Sequence, residues 1–277
     1  KMEIKMNLYL KKNYRVKWYD KKLWSKFIVK FGIFLSIMDI FEKTNYFNIK
    51  IIKCIFQNIF NWNILIAIIL YLILFYLANT LKKIEFNISK IKVEIRRGDI
   101  FIEKGLKVIP FNEKFDTEVD DKIISKNSLN GKFLNRRDLV KDINSFKNEL
   151  KKEMKKEMIE GTDRYKLGSI FKWNNEYLIT SFSKFDDKNQ AYLKLENYYL
   201  FLEKFWENLS AVYSGEDIVI PLLGSGITRL DIEDEDLLKM MLLTLKMSRK
   251  KFDRIIIALT EDKLEKIDLY HLKELIN

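Results

Sequence analysis

Asp217-Ile-Val-Ile-Pro-Leu-Leu-Gly-Ser-Gly-Ile-Thr-Arg-Leu-Asp231 is the stretch whose reading decides the fold. Residues 217–220 are rich in β-branched side chains and predict a short strand, which Pro221 stops because proline has no N–H to give to a ladder. A loop with two glycines one residue apart, Gly224 and Gly226, follows before the chain runs on towards a helix. Glycine lacks a Cβ, so backbone N–H groups there can approach and cradle a phosphate, and a helix start adds its own N–H groups and partial positive charge. A lone G-x-G also suits an ordinary strand-to-helix turn.

A second stretch repeats the design. Gly105-Leu-Lys-Val-Ile-Pro110 is followed by Phe111-Asn112-Glu113-Lys114-Phe115, and the chain's two prolines, Pro110 and Pro221, each directly follow a Val-Ile pair. Both strands are expected to finish at their proline, with a loop opening at the carboxyl end. Two parallel strands ending in such loops form the crevice where open α/β sheets take ligands.

The rest of the C-terminal region agrees with that architecture. Ile91 to Ile95 alternates apolar and charged residues as a half-buried strand does. Leu106 to Ile109, Glu176 to Phe182, Ile218 to Ile220 and Arg254 to Leu259 read as further strands. Leu139, Ile143, Phe146, Leu150, Met154 and Met158 form one apolar stripe on a lysine-rich helix. Ala191 to Tyr213 reads as a long aromatic-rich helix, and Asp234 as the N-cap of another ending near Arg249. Strands alternating with helices imply a largely parallel sheet covered on both faces.

The N-terminal region has a different chemistry. Residues 1–97 carry 19 Lys/Arg against 6 Asp/Glu, whereas residues 98–277 carry 31 against 33, so the overall charge of +11 lies outside the α/β region. A nucleic-acid-binding domain would carry the basic stripe itself, and no nucleic-acid partner is expected. Juxtamembrane lysines account for the excess better. Residues 1–26, basic and aromatic, read either as an interfacial segment or as a disordered tail. Residues 54–81 contain no charged side chain, and Ile59 to Ala78 has the roughly 20 residues that cross a bilayer core. Phe27 to Phe41 is a weaker first span, with Lys30 and Asp39 near its ends. The arrangement of Lys/Arg around both puts the termini in the cytoplasm. The expected organisation is therefore a basic aromatic segment over 1–26, a two-span transmembrane hairpin over 27–83 and an α/β domain over 84–277, with the hairpin in a cell membrane.

Cys54 and His271 are the only residues of their kinds, so no intrachain disulfide, histidine triad or zinc cluster is expected.

Val93-Glu-Ile-Arg-Arg-Gly-Asp-Ile-Phe101, the Val108-Ile109 strand with its loop, and Pro221-Leu-Leu-Gly-Ser-Gly-Ile-Thr228 together resemble a macro domain. Their order behind an apolar anchor is similar to that of the membrane-anchored macro effectors of bacterial Thoeris antiphage defence. The resemblance implies a three-layer α/β/α domain with a mixed, largely parallel sheet that binds ADP-ribose. It implies that Asp99 accepts a hydrogen bond from the adenine amino group, with Ile100 beside it, and that Asn112 fixes the distal ribose. Phe115, Thr117, Val119 and Asp120 then belong to the first loop. Leu223, Gly224, Ser225, Gly226, Ile227 and Thr228 form the second, pyrophosphate-binding loop. By residue type alone, Asp99 and Asn112 equally suit turns.

This chain departs from the pattern in its first loop, where Phe115-Asp116-Thr117-Glu118-Val119 replaces a glycine run and Asp120-Asp121 follow. Carboxylates beside phosphates repel unless the ligand carries a cation or the side chains turn away. Binding without turnover is the expectation, with no catalytic residue, no metal and no cofactor. The ligand implied is an ADP-ribose-derived signal such as histidine-ADP-ribose, made by a TIR-domain protein. A homo-oligomer would answer it by disrupting membrane lipid. The alternative is a membrane-tethered ADP-ribosyl hydrolase or an ADP-ribose-binding regulator.

Overall fold

The structure, a computed structural model, describes residues 16–43, 59–121, 123–136, 138, 140, 142–185, 191–226 and 230–276. The chain divides into two compact units, Lys1–Leu81 and Lys82–Asn277.

In the first unit, α1 (Lys21–Lys43) and α2 (Ile59–Asn79) pack through Trp24 stacked on Tyr71 and Phe27 edge-on to the same ring. The Asn79 side chain accepts from the Val16 N–H at 3.1 Å. Among the described residues no helix is long and apolar enough to cross a membrane, so the transmembrane hairpin expected over 27–83 does not appear as such. In α1 the physical reason is charge: Lys26, Lys30 and Asp39 interrupt its apolar run. The helix α2 has no charged residue, but its described side chains begin only at Ile64. The segment 1–15 and the connection 44–58 lie outside the described residues.

The second unit is built on a mixed sheet of eight strands: β1 (Lys83–Ile88), β2 (Ile91–Arg97), β3 (Leu106–Asn112), β4 (Ile170–Trp173), β5 (Tyr177–Phe185), β6 (Ala191–Tyr192), β7 (Ile218–Pro221) and β8 (Arg254–Leu259). Their order is β1-β2-β8-β7-β3-β5-β4, with β6 on β5. The five central strands are parallel, and β1, β4 and β6 add antiparallel edges. Residues 83–88, which carry no strand reading in the sequence analysis, form β1: Ile84, Phe86 and Ile88 alternate inward against β2.

Ile109, Phe111, Tyr177, Ile179, Val219 and Ile256 line one face of the sheet. Against them pack Phe133 of α3 (Leu129–Leu134) and Phe146 and Leu150 of α4 (Ile143–Glu153). The stripe read from Leu139 onward becomes α4 followed by a 3-10 turn over Met154–Glu157. The other face meets α5 (Leu195–Val212) and α6 (Asp234–Ser248). Phe182 of β5 packs edge-on against Phe201, and the buried Trp206 Nε1 donates to Thr244 Oγ1 at 3.0 Å. Burying each such large side chain stabilises the fold by about 1.5–3 kcal/mol. The short α7 (Glu261–Leu264) and α8 (Leu269–Ile276) close the domain, α8 lying against β1.

Two helix starts differ from expectation. Residues 191–192 pair with β5, so α5 begins only at Leu195; and Glu233, not Asp234, is the N-cap of α6, leaving Asp234 inside the first turn.

Candidate functional site

The carboxyl ends of β2, β8, β7, β3 and β5 lie along one edge of the sheet. Within it β3 and β7 pair over only two positions, Leu106 with Ile218 and Lys107 with Val219, and then part. Open α/β sheets take ligands in a crevice where strand order jumps between chain-distant neighbours, and β3 beside β7 is such a place. Pro110 fits this opening, although β3 continues past it to Asn112 and does not stop there as the sequence suggested. The Leu106 N–H donates towards β7 and the Lys107 N–H towards β5, so by alternation the position of Pro110 that lacks an N–H faces the gap. Pro221, as expected, is the last residue of its strand.

After Pro221 the chain makes a tight turn: the Leu222 carbonyl accepts from the Ser225 hydroxyl at 2.8 Å and from its N–H at 3.4 Å. Gly224 adopts φ +90°, and a Cβ there would sit 3.0 Å from Leu230 Cδ1 and 3.3 Å from Tyr198 Cε2. Gly226 differs: it is exposed, with no atom within 4 Å of where its Cβ would be. From beneath, the Tyr198 hydroxyl donates to the buried Leu223 carbonyl at 2.9 Å. Burial pushes the Tyr198 phenol far above its usual range, so it stays a donor. From the side, Lys263 Nζ donates to the Ser225 carbonyl at 2.6 Å and to Asp234 Oδ1 at 3.2 Å. Ile227 and Thr228 lie outside the described residues.

Across the gap, Asn112 is buried, and its Oδ1 accepts from the N–H groups of Lys114 at 2.9 Å and Asp116 at 3.2 Å. Here the side chain folds the loop that follows β3. Phe115 sits at φ +52° with its ring buried against Phe111 and Tyr165, so it offers the crevice only backbone. Thr117 and Val119 are half-buried, and Asp120 is exposed. Asp120 Oδ1 accepts from the Ile123 N–H at 2.7 Å, and Asp121 Oδ1 from the Lys126 N–H at 2.8 Å. These two carboxylates turn back onto their own loop. Asp116 is half-buried: burial pushes its carboxyl above the usual range, against the opposing pull of Lys114.

At the end of β2, Asp99 is exposed and its Oδ1 accepts from the Phe101 N–H at 3.0 Å, while Ile100 is part of the core. The turn role that Asp99's residue type allowed is present.

A groove of roughly 840 Å³ lies beyond the β3 end on the β5 side, lined by Glu113, Ile159, Asp163, Arg164 and Lys184 among others. Glu113 is buried, with Arg164 Nη1 at 3.1 Å, and Lys114 pairs with Asp163 at 2.9 Å. Tyr198, Lys263 and Glu113 had no sequence signal: each acquires its role from a contact distant in the chain. Among the described residues, no group of His, Cys, Asp and Glu could hold a metal ion.

A parallel sheet with a split between β3 and β7, and a glycine turn held from two sides beside it, defines an α/β domain with a backbone-donor loop at the strands' carboxyl ends. Residues 93–258 match the family described as Thoeris protein ThsA, Macro domain. Thoeris protein ThsA of Bacillus amyloliquefaciens (strain Y2) is 36% identical over 229 residues, covering 76% of this chain and 75% of that protein. Among solved structures, the Oceanobacillus iheyensis macrodomain with ADP aligns at 13% identity and a TM-score of 0.47, over 70% of this chain and 95% of that one. The same macrodomain with MES bound aligns at 14% identity and a TM-score of 0.44, over 70% and 94%. This chain belongs to the Thoeris ThsA macro domain family.

Proposed function

We propose that this chain is an antiphage effector whose macro domain senses an ADP-ribose-derived signal from a TIR-domain partner, and whose N-terminal helices then disrupt the cell membrane. The observation that carries the sensing role is the crevice between β3 and β7, bordered by the Leu222–Gly226 turn. A turn whose carbonyls are engaged from behind by Tyr198 and Lys263 presents N–H groups on its other side, which suits a diphosphate. Family membership supports the defence setting and the TIR-made signal.

Within that reading the site binds without turnover. Asp120 and Asp121 are occupied in turns, which removes much of the repulsion their charges would present to phosphates. Asp116, on the loop after β3, is the carboxylate that a cationic group joined to the ribose, as in histidine-ADP-ribose, would meet.

The membrane role rests on the first unit. The helix α2 carries no charged residue along its 21 residues. Ile28, Ile33, Ile37 and Ile40 of α1, and Ile68, Leu72, Ile73 and Leu77 of α2, are exposed, an apolar surface that calls for lipid or protein cover. Self-association in the inner membrane, with the macro domain in the cytoplasm, is part of the proposal. Titration of ADP-ribose and its histidine conjugate into residues 82–277 tests the sensor. Dye release from liposomes carrying the full chain, with and without the ligand, tests the effector. Release independent of ligand, or absence of binding, would overturn the respective half.

A further inference from the structure

We propose that Lys263 is a positioning residue for the ligand: by holding the Ser225 carbonyl it aims the Gly226 N–H at the anion, so that affinity for a diphosphate depends on a side chain behind the loop. This rests on the reading of Leu222–Gly226 as the anion-binding turn.

The geometry begins with the peptide itself. Every described peptide bond is trans, so the Ser225 carbonyl and the Gly226 N–H point in opposite directions. Lys263 Nζ lies 2.6 Å from that carbonyl and 3.2 Å from Asp234 Oδ1. An ammonium serving only an ion pair would sit tightest on the carboxylate; this one is closer to the neutral carbonyl. It therefore joins Ser225 to the first turn of α6.

Lys263 is itself fixed. Its neighbour Leu264 is buried, the Thr260 carbonyl accepts from the Leu264 N–H at 2.9 Å, and Glu261 pairs with Arg97 at 2.7 Å. Asp234, mostly buried, also faces Lys266 at 4.0 Å. The ammonium is thus held at one place behind the loop, where its charge adds to the attraction for an anion in front. Gly226, with open space around it and no Cβ, lets a phosphate come up to its N–H.

The test uses the full chain in detergent, with ADP-ribose as the diphosphate probe and adenosine as the probe without phosphate. Lys263→Met is expected to lower ADP-ribose affinity about tenfold, the scale of one hydrogen bond to a charged group, with adenosine affinity unchanged. Lys263→Arg, which keeps a cationic donor, is expected to recover most of the loss. Wild-type affinity for ADP-ribose in Lys263→Met would overturn the proposal. So would equal losses for both probes with a lowered melting temperature, the signature of a plain α6–α7 brace. Gly226→Glu, run alongside, separates the two ideas. If neither Gly226→Glu nor Lys263→Met changes ADP-ribose binding, the loop assignment falls; if only Gly226→Glu does, the role of Lys263 falls alone.

Discussion

The two glycines of the Leu222–Gly226 turn should fail in different ways when substituted. At Gly224, alanine must hold a φ of +90° and place a Cβ 3.0 Å from Leu230 Cδ1 and 3.3 Å from Tyr198 Cε2. The backbone conformation costs roughly 1–2 kcal/mol for an L-residue and the overpacking about 1–3 kcal/mol more. Gly224→Ala should therefore lose roughly 2–5 kcal/mol of stability, read as a lower urea midpoint for residues 82–277. At Gly226 nothing lies within 4 Å, so Gly226→Ala should stay within about 0.5 kcal/mol of the parent. Gly226→Glu should likewise fold normally but place a carboxylate beside the diphosphate. At about 5 Å and an effective dielectric near 20, that repulsion is roughly 3 kcal/mol, a loss of about two orders of magnitude in affinity. Urea denaturation and calorimetry with ADP-ribose on the same samples separate the two effects. Undiminished stability in Gly224→Ala, or undiminished binding in Gly226→Glu, would show that the turn is not used as described.

Other expectations bear on the rest of the domain. If Asp99 accepts from the adenine amino group, Asp99→Ala should weaken ADP-ribose by roughly 1.5–3 kcal/mol and remove the preference over an inosine analogue, measured by calorimetry. Glu94 is buried among Lys83, Arg96 and Arg254; burial raises its carboxyl, but the hydrogen bonds from Lys83 and Arg254 outweigh it and hold the group below its usual range. A lowered folded value means stability that is present above the unfolded carboxyl's pKa, about 4.3, and lost as pH falls through the folded one; urea midpoints between pH 6 and 2 should show that slope diminished in Glu94→Gln. A ten-residue Gly/Ser insertion after Leu81, ahead of β1, should leave ADP-ribose binding intact and abolish ligand-dependent dye release from liposomes; persistent release would mean that clustering of anchors suffices.

How much of this was legible depended on whether the signal was local. Arg254 to Leu259 reads as a strand because an unbroken run of β-branched residues suits a position buried on both faces, and it is the strand observed. Ile84, Phe86 and Ile88 alternate as a half-buried strand does, but the pattern is short and follows directly on the uncharged stretch, which masks it. Pro110 misled because a missing donor ends a ladder only where a neighbour needs it, and β7 has already separated there. In the site, Gly224 and Gly226 were visible as types. Their opposite environments were not, because those depend on Tyr198, Leu230 and Leu237 arriving from elsewhere. The carboxylates of 116–121 showed only their charge; which of them turn inward is set by the N–H groups of Ile123 and Lys126. Lys263, on a four-residue helix, resembles any surface lysine until β8 delivers it to the loop.

Under the proposed function, that delivery would give the domain a physical route from a bound ligand to its first strand. An anion that draws the Gly226 N–H forward acts on the same peptide whose carbonyl Lys263 holds, and Lys263 also holds the first turn of α6 through Asp234. The route continues through Glu235, whose carboxylate accepts from the Asp268 N–H at 3.0 Å at the start of α8, and α8 lies against β1. Each step is a hydrogen bond or a packed contact between short elements, and β1 is the first element after residue 81. A ligand shifts such a route only by binding one arrangement better than another. Lys263 is where that difference would arise, since moving its carbonyl partner changes its balance between Ser225 and Asp234. A variant that keeps the brace to Asp234 but loosens the loop, such as Tyr198→Phe, should therefore weaken binding while preserving the coupling. In Asp234→Asn the ammonium keeps Ser225 but loses its anchor on α6. Binding should fall less there than ligand-dependent release, and equal falls in both would remove Lys263 from the route.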